Sequence, residues 1–275
     1  MNNITDVNVI NGFIKMCNDG YDLGWHERNG GNLTYRMKKE EVEECKKFFL
    51  KSPKDWVKLR IQAPNLAGEY FMATGSGKFF RNVILEPQNS FCIAEINESG
   101  DSYRIVWGLE NGGVPTSEFE SHLMNHSVKK ELSNDSYRVI YHSHTPNVIA
   151  MTFILPINNR EISRVLWKME TECPVVFPGG VGIVRWMVPG GPEIAKETCK
   201  LMEDFDAVIW AHHGIFCAGP DFDTTFGLMH TIEKSAEIYM KVIGSGKPVL
   251  QTISDDDIRA IGKVFKVEIR EDFLD

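Results

Sequence analysis

FCIAEIN (residues 91–97) and YRIVWGL (residues 103–109) lie on either side of a polar turn at residues 98–101. Both runs are rich in Ile, Val and aromatic residues and end at turn formers, so they read as the two antiparallel strands of a hairpin. Upstream, EYFMATGSGKFF (residues 69–80) gives a strand followed by a glycine loop, and ERNGGNLTYR (residues 27–36) a glycine turn entering a β-like run. Ahead of these, Ile10, Phe13, Ile14 and Cys17 share one helical face, predicting an amphipathic helix that ends near Gly20.

Downstream, Ser117 and Glu120 have the S-x-x-E spacing of a capping box and predict a helix to about Leu132. RVIYHSHT (residues 138–145) is β-rich, residues 159–169 are helical in pattern, and CPVVF (residues 173–177) reads as a strand. A helix over 192–204, a strand AVIWAHHGIF (residues 207–216), a long helix over 223–243 and an S-x-x-D start to a helix over 254–265 complete the pattern. Strands and helices alternate, yet several strands are joined by hairpins. The expected fold is therefore α/β, three-layer α/β/α with a central mixed, mainly antiparallel sheet, in a single domain over residues 1–275. The polar stretch 38–58 reads as a surface excursion inside that domain.

The chain has 275 residues, 43% hydrophobic and 25% charged, enough to bury a core without disulfides or structural metal. Its net charge of −8, with no basic stripe, argues against nucleic acid as a partner. It also requires that any anionic ligand be bound by local donors rather than by the overall field. MNNITDVNVINGF (residues 1–13) has no basic region followed by an apolar run, and no stretch approaches the roughly 18 apolar residues of a membrane helix. Six scattered cysteines without a CxxC pair read as reduced thiols, which points to the cytoplasm.

His142 and His144 flank Ser143 at the end of a strand signal. Side chains at i and i+2 of a strand share a face, so two imidazoles there can converge on one ion. About seventy residues on, a second strand ends in Ala211-His212-His213-Gly214, able to bring a third imidazole. Locally, His212 and His213 are equally good candidates. Three neutral imidazoles with open positions describe a catalytic metal; a structural site wants a fourth ligand, usually cysteine, and none is suitably spaced. Glu118 falls in a first helical turn, where the dipole favours a carboxylate whether or not it has chemistry to do. Gly30-Gly31 and Gly75-Ser76-Gly77 are loops able to present amide N–H groups to a phosphate, although either alone is equally well a simple turn. Lys78, beside the second loop, is the candidate for a Schiff-base mechanism, but its polar surroundings do not favour the desolvated lysine such chemistry needs.

ERNGGNLT, TGSGKFFRN, VPTSE, HSHTPN, TECPVVFPGGVG and HHGIF follow one another in order. That ordered set resembles the class II aldolase and epimerase superfamily, from the N-terminal helix to about residue 267. WGLENGGVPTSE and FPGGVGIVRWMVPG are similar to its rhamnulose-phosphate branch. The resemblance implies one zinc ion per subunit on His142, His144 and His213, with Glu118 as the catalytic carboxylate. It makes Glu172 an acidic residue reaching across a subunit interface of a homotetramer, and puts Asn29, Asn32, Ser76, Thr116 and Ser117 around a substrate phosphate, with Gly31 in the same turn. The implied reaction is reversible cleavage of L-rhamnulose 1-phosphate, a small sugar phosphate, to dihydroxyacetone phosphate and L-lactaldehyde in rhamnose catabolism. Other readings are an aldolase of the L-fuculose-1-phosphate type or a 4-epimerase on the same scaffold. A non-catalytic assembly module resembling adducin is a further reading, and it predicts loss of the histidines, all of which are present.

Overall fold

A computed structural model describes residues 3–275, which divide into two compact units. The first runs to Ser143 and also takes in Ala218–Asp223. It contains α1 (Asn8–Asp22), β1 (Asn32–Arg36), α2 (Lys39–Cys45), β2 (Val57–Lys58), β3 (Tyr70–Thr74), α3 (Pro87–Ser90), β4 (Phe91–Ile96), β5 (Ser102–Gly108), α4 (Phe119–Leu132) and β6 (Val139–Ser143). Its strands lie in the order β2-β5-β4-β3-β1-β6, and every pairing is antiparallel. The hairpin expected at residues 91–109 is β4–β5, with Ile96 opposite Tyr103.

Burial explains why these segments hold. In α1, Ile10, Phe13, Ile14 and Cys17 are buried, the i, i+3, i+4 stripe read from the sequence. Five of the six β4 residues are buried, which is why FCIAEIN shows a continuous apolar run rather than alternation. Phe71, Ile96, Ile105, Leu109, Phe119 and Leu123 belong to one cluster, each large apolar side chain contributing about 1.5–3 kcal/mol by leaving water. Arg36 on β1 is fully buried; it pairs with Glu69 at 3.1 Å and Asp135 at 2.7 Å and donates to the carbonyl of Tyr137 at 3.0 Å. The excursion 38–58 is more structured than expected: Val42 and Cys45 of α2 are buried, and β2 pairs with β5.

The capping box expected at Ser117 does not form. Glu118 is the N-cap of α4, and its amide donates to Thr116 Oγ1 at 3.3 Å. Glu120 instead accepts from the Arg60 amide and Nε at 2.8 and 2.7 Å.

The second unit, His144–Cys217 with Thr224–Asp275, holds α5 (Pro146–Met151), α6 (Asn159–Met169), α7 (Cys173–Val176), β7 (Gly182–Val184), α8 (Pro192–Leu201), β8 (Ala207–Trp210), most of β9 (Gly214–Gly219) and of α9 (Phe222–Gly244), and α10 (Asp255–Phe265). β7 pairs with β8 in parallel and β8 with β9 antiparallel, so the β-structure is mixed and mainly antiparallel, as expected. Two expectations change. CPVVF is the one-turn helix α7, because Pro174 in the first turn has a helical φ and no N–H to give a ladder. AVIWAHHGIF is a hairpin rather than one strand, because His212 takes φ 62° and turns the chain back. The S-x-x-D reading holds for α10, where Ser254 and Asp257 cap each other's backbone. Among the described residues no helix is long and apolar enough to cross a membrane, and all six cysteines are free thiols.

Candidate metal centre

The β8–β9 hairpin pairs Trp210 with Gly214, leaving Ala211-His212-His213 as its loop. A three-residue hairpin loop needs one residue in the left-handed region, and His212 supplies it. Thr152 Oγ1 holds that conformation: it accepts from the His212 amide at 2.9 Å, lies 3.1 Å from Nδ1 and donates to the Ile149 carbonyl at 2.7 Å. His212 is thereby spent on the turn. His213, whose amide donates to the Trp210 carbonyl at 3.0 Å, is the one directed to the cluster. Of the two candidates that local sequence leaves open, His213 is the one whose ring nitrogen lies with those of His142 and His144.

His142, His144 and His213 each present a ring nitrogen, and these three atoms lie within 4.8 Å of one another. His142 is buried and the other two are half-buried. The rings of His144 and His213 stand 4.9 Å apart, centroid to centroid. Three ring nitrogens gathered this closely could hold one metal ion. The donor set fits a divalent metal of the borderline class with positions left for substrate.

Glu118 reaches this neighbourhood through β1. Asn32 is the register partner of His142, and its Nδ2 donates to Glu118 Oε2 at 2.9 Å. Glu118 is 7% exposed, buried at the start of α4. Asn32, expected at the phosphate, thus has its amide turned to the carboxylate, and His122 Nε2 makes a very short contact with its Oδ1.

The loops are tighter than their sequence suggests. Gly75, Ser76 and Lys78 donate their amides to Ser90, Val114 and Gly75 carbonyls at 2.8, 2.9 and 3.1 Å. Ser76 and Ser117 are exposed, and the Thr116 amide donates to Thr74 O at 2.8 Å, joining the two segments. Gly31 has φ 76°, and a Cβ there would stand 2.4 Å from His26 Nδ1 and 2.7 Å from the His142 carbonyl, so no other residue fits. Asn29, two residues earlier, is exposed. Glu172 is exposed at the N-cap of α7. Lys78 is half-buried beside its loop.

Sequence reading misses several residues. His26 donates from Nδ1 to the Gly30 carbonyl at 3.0 Å, accepts from the Tyr141 hydroxyl at 2.6 Å and stacks on Phe80 at 3.7 Å, which pins the Gly30-Gly31 turn. Glu233 on α9 accepts from the Asn147 and Val148 amides at 3.0 and 2.9 Å and so clamps the chain just after His144. Burial raises the Glu233 carboxyl above its usual range while those bonds oppose it. A cleft of about 430 Å³ lined by Lys38, Glu43, Lys46, Glu69 and Arg138 holds charges of both signs and none of the expected site residues.

Thr34, His122 and His126 form a buried polar run next to Asn32. Thr34 Oγ1 lies 2.8 Å from both His122 Nδ1 and His126 Nε2. Burial pushes His122 down to about 3, and His126 well below its ordinary value through burial and the neighbouring His122. In the unfolded chain both histidines take a proton near pH 6.5 that the folded state refuses. Stability is then fully present above 6.5 and is lost as pH falls toward the folded values. Metal-stripped protein is expected to lose roughly 2 kcal/mol between pH 7 and 5.5, from two such groups. Urea denaturation at the two pH values measures this, and an unchanged midpoint would show that these rings protonate in place.

The chain matches the Class II Aldolase and Adducin N-terminal domain family over residues 11–240 and belongs to that family. Within it, the chain is 44% identical over 267 residues to the rhamnulose-1-phosphate aldolase of Mannheimia succiniciproducens, covering 97% of each chain. It is 43% identical over 275 residues to the rhamnulose-1-phosphate aldolase of Klebsiella pneumoniae, covering 100% of this chain and 99% of that one. Among solved structures it is similar to a sugar-phosphate aldolase from Thermotoga maritima, at 26% identity and a TM-score of 0.73, over 88% of this chain and 97% of that one.

Proposed function

We propose that this chain is a metal-dependent lyase that cleaves L-rhamnulose 1-phosphate reversibly to dihydroxyacetone phosphate and L-lactaldehyde, in rhamnose catabolism. The observation that carries the reading is the gathering of His142, His144 and His213 in a chain so similar over its whole length to rhamnulose-1-phosphate aldolases. We assign zinc to the three histidines, where it supplies Lewis acidity for the negative charge that develops as the C3–C4 bond breaks.

The chain's own residues do the remaining work. Glu118, in its acid form, gives a proton to C3 after cleavage, and as a carboxylate it removes that proton in the synthetic direction. Asn32 holds the Glu118 carboxyl by its Nδ2 hydrogen bond. Ser76, Thr116 and Ser117, with Asn29 and the Gly31 turn, bind the phosphate and set the reacting bond in place. Glu172 of a neighbouring subunit takes the C4 hydroxyl proton, in a cytoplasmic homotetramer whose chains each act as one domain over residues 1–275.

The test is a coupled assay of the purified protein on L-rhamnulose 1-phosphate and L-fuculose 1-phosphate, before and after chelation. Release of dihydroxyacetone phosphate is expected with preference for the rhamnulose ester, abolished by chelator and restored by zinc. Turnover that resists chelation overturns the metal assignment. Cleavage of neither ester overturns the substrate.

A further inference from the structure

Asn32 is 6% exposed, so its amide orientation is set by its partners rather than by water. Nδ2 faces the Glu118 carboxylate at 2.9 Å, and turning the amide over would set Oδ1 against that carboxylate. With Nδ2 donating to Glu118, Oδ1 must accept, and the group against it is His122 Nε2. A neutral imidazole carries one N–H. His122 therefore donates from Nε2, and its Nδ1, 2.8 Å from the Thr34 hydroxyl, is placed to accept from it, with the Ile140 backbone as a further hydrogen-bond partner of the ring. That hydroxyl, having given its proton to His122, accepts from His126 Nε2–H at 2.8 Å. One hydrogen-bond direction runs through the set, from His126 to Thr34, then to His122, to Asn32 and to Glu118.

We propose that His122 is a positioning residue for Glu118: its Nε2–H fixes the Asn32 amide, and Asn32 in turn holds the carboxylate in the rotamer and orientation that proton transfer at C3 requires. Thr34 and His126 select the His122 tautomer. All five side chains are buried, on β1 and α4 or at the α4 N-cap, so the run is shut off from bulk water that would otherwise replace a missing link. The inference rests on Glu118 being the proton-transfer group.

The experiment compares His122→Phe, His122→Gln and Thr34→Val in the zinc-loaded enzyme. Four quantities are read: kcat, KM for L-rhamnulose 1-phosphate, zinc per subunit, and solvent exchange of the C3 proton of dihydroxyacetone phosphate. The Phe variant is expected to lose about 10–100-fold in both kcat and exchange, the range seen when partners that orient a reacting group are removed, with KM within about threefold and zinc unchanged. Gln keeps an N–H donor near the Nε2 position and is expected to recover most of that loss. Thr34→Val fills the same space without the hydroxyl and is expected to lose a smaller amount in the same two quantities, which keeps the proposal testable should the Phe variant fail to fold. Equal impairment of the Phe and Gln variants, loss of zinc in either, or unchanged exchange in Thr34→Val overturns it. If Glu118→Gln retains full exchange, the assignment of Glu118 itself is at fault. If Glu118→Gln abolishes exchange and the His122 variants do not alter it, only the positioning role falls.

Discussion

His213→Ala is expected to lose bound zinc and aldol cleavage together, whereas His212→Ala keeps a metal-loaded enzyme. His213 contributes one of three ring nitrogens lying within 4.8 Å, and two imidazoles hold an ion far more weakly than three. A Lewis acid at developing negative charge supplies several kcal/mol, so its loss corresponds to a rate decrease on the order of 10³-fold or more. His212 instead serves the turn with Thr152, so its removal costs positioning and not a ligand. Metal analysis of both variants alongside kcat separates the two. Zinc retained at wild-type stoichiometry in His213→Ala would falsify the ligand assignment. The same variant tests Glu172. If that carboxylate acts on a neighbouring subunit's site, dissociating and reassembling His213→Ala with Glu172→Gln restores part of the activity that each variant lacks alone. If it does not, the mixture stays inactive.

How far the site is legible depends on the range of the interactions that build it. His142 is visible because it ends a strand signal, His144 because it follows two residues on, just past the end of β6, and the glycines of both loops because a left-handed or close-packed backbone needs glycine within a few residues. The hairpins β4–β5 and β8–β9 differ in the same respect. The first has a polar turn written in it, whereas the second turns on His212, a residue whose φ of 62° depends on Thr152 about sixty residues away. CPVVF reads as β-rich by composition, yet the position of Pro174 decides for a helix. His122 and His126, at i and i+4 on α4, have the spacing of a solvated polar face in sequence. They are buried because Thr34 and Asn32 of β1 meet them, partners 88 and 90 residues distant for His122 and 92 for His126. His26 and Glu233 escape notice for the same reason, since each is defined by the backbone amides or hydroxyl it meets in space.

Those distant polar partners have a common effect on the functional groups. Glu233 ties down the chain following His144, His26 ties down the turn preceding Asn32, and the His122 run ties down Asn32 itself. Each constrains the backbone or side chain adjacent to a group assigned to chemistry, so the reactive groups lose little further freedom when substrate binds.

The sharpest consequence of that arrangement is at Glu118. Glu118→Gln is expected to keep its zinc, its fold and a KM within a few-fold of wild type, while kcat falls by about 10²–10⁴, the usual range for removing a general acid–base group. Gln fills the same volume and its Oε1 can still accept from Asn32 Nδ2, so packing at the α4 N-cap is preserved. What it lacks is a proton to exchange. The discriminating measurement is therefore deuterium uptake at C3 of dihydroxyacetone phosphate without aldehyde, a half-reaction that needs the acid–base group but no C–C bond change. Exchange slowed in parallel with cleavage places the proton transfer at Glu118. Cleavage slowed with exchange at the wild-type rate assigns that transfer to another group and leaves Glu118 an electrostatic role at the centre.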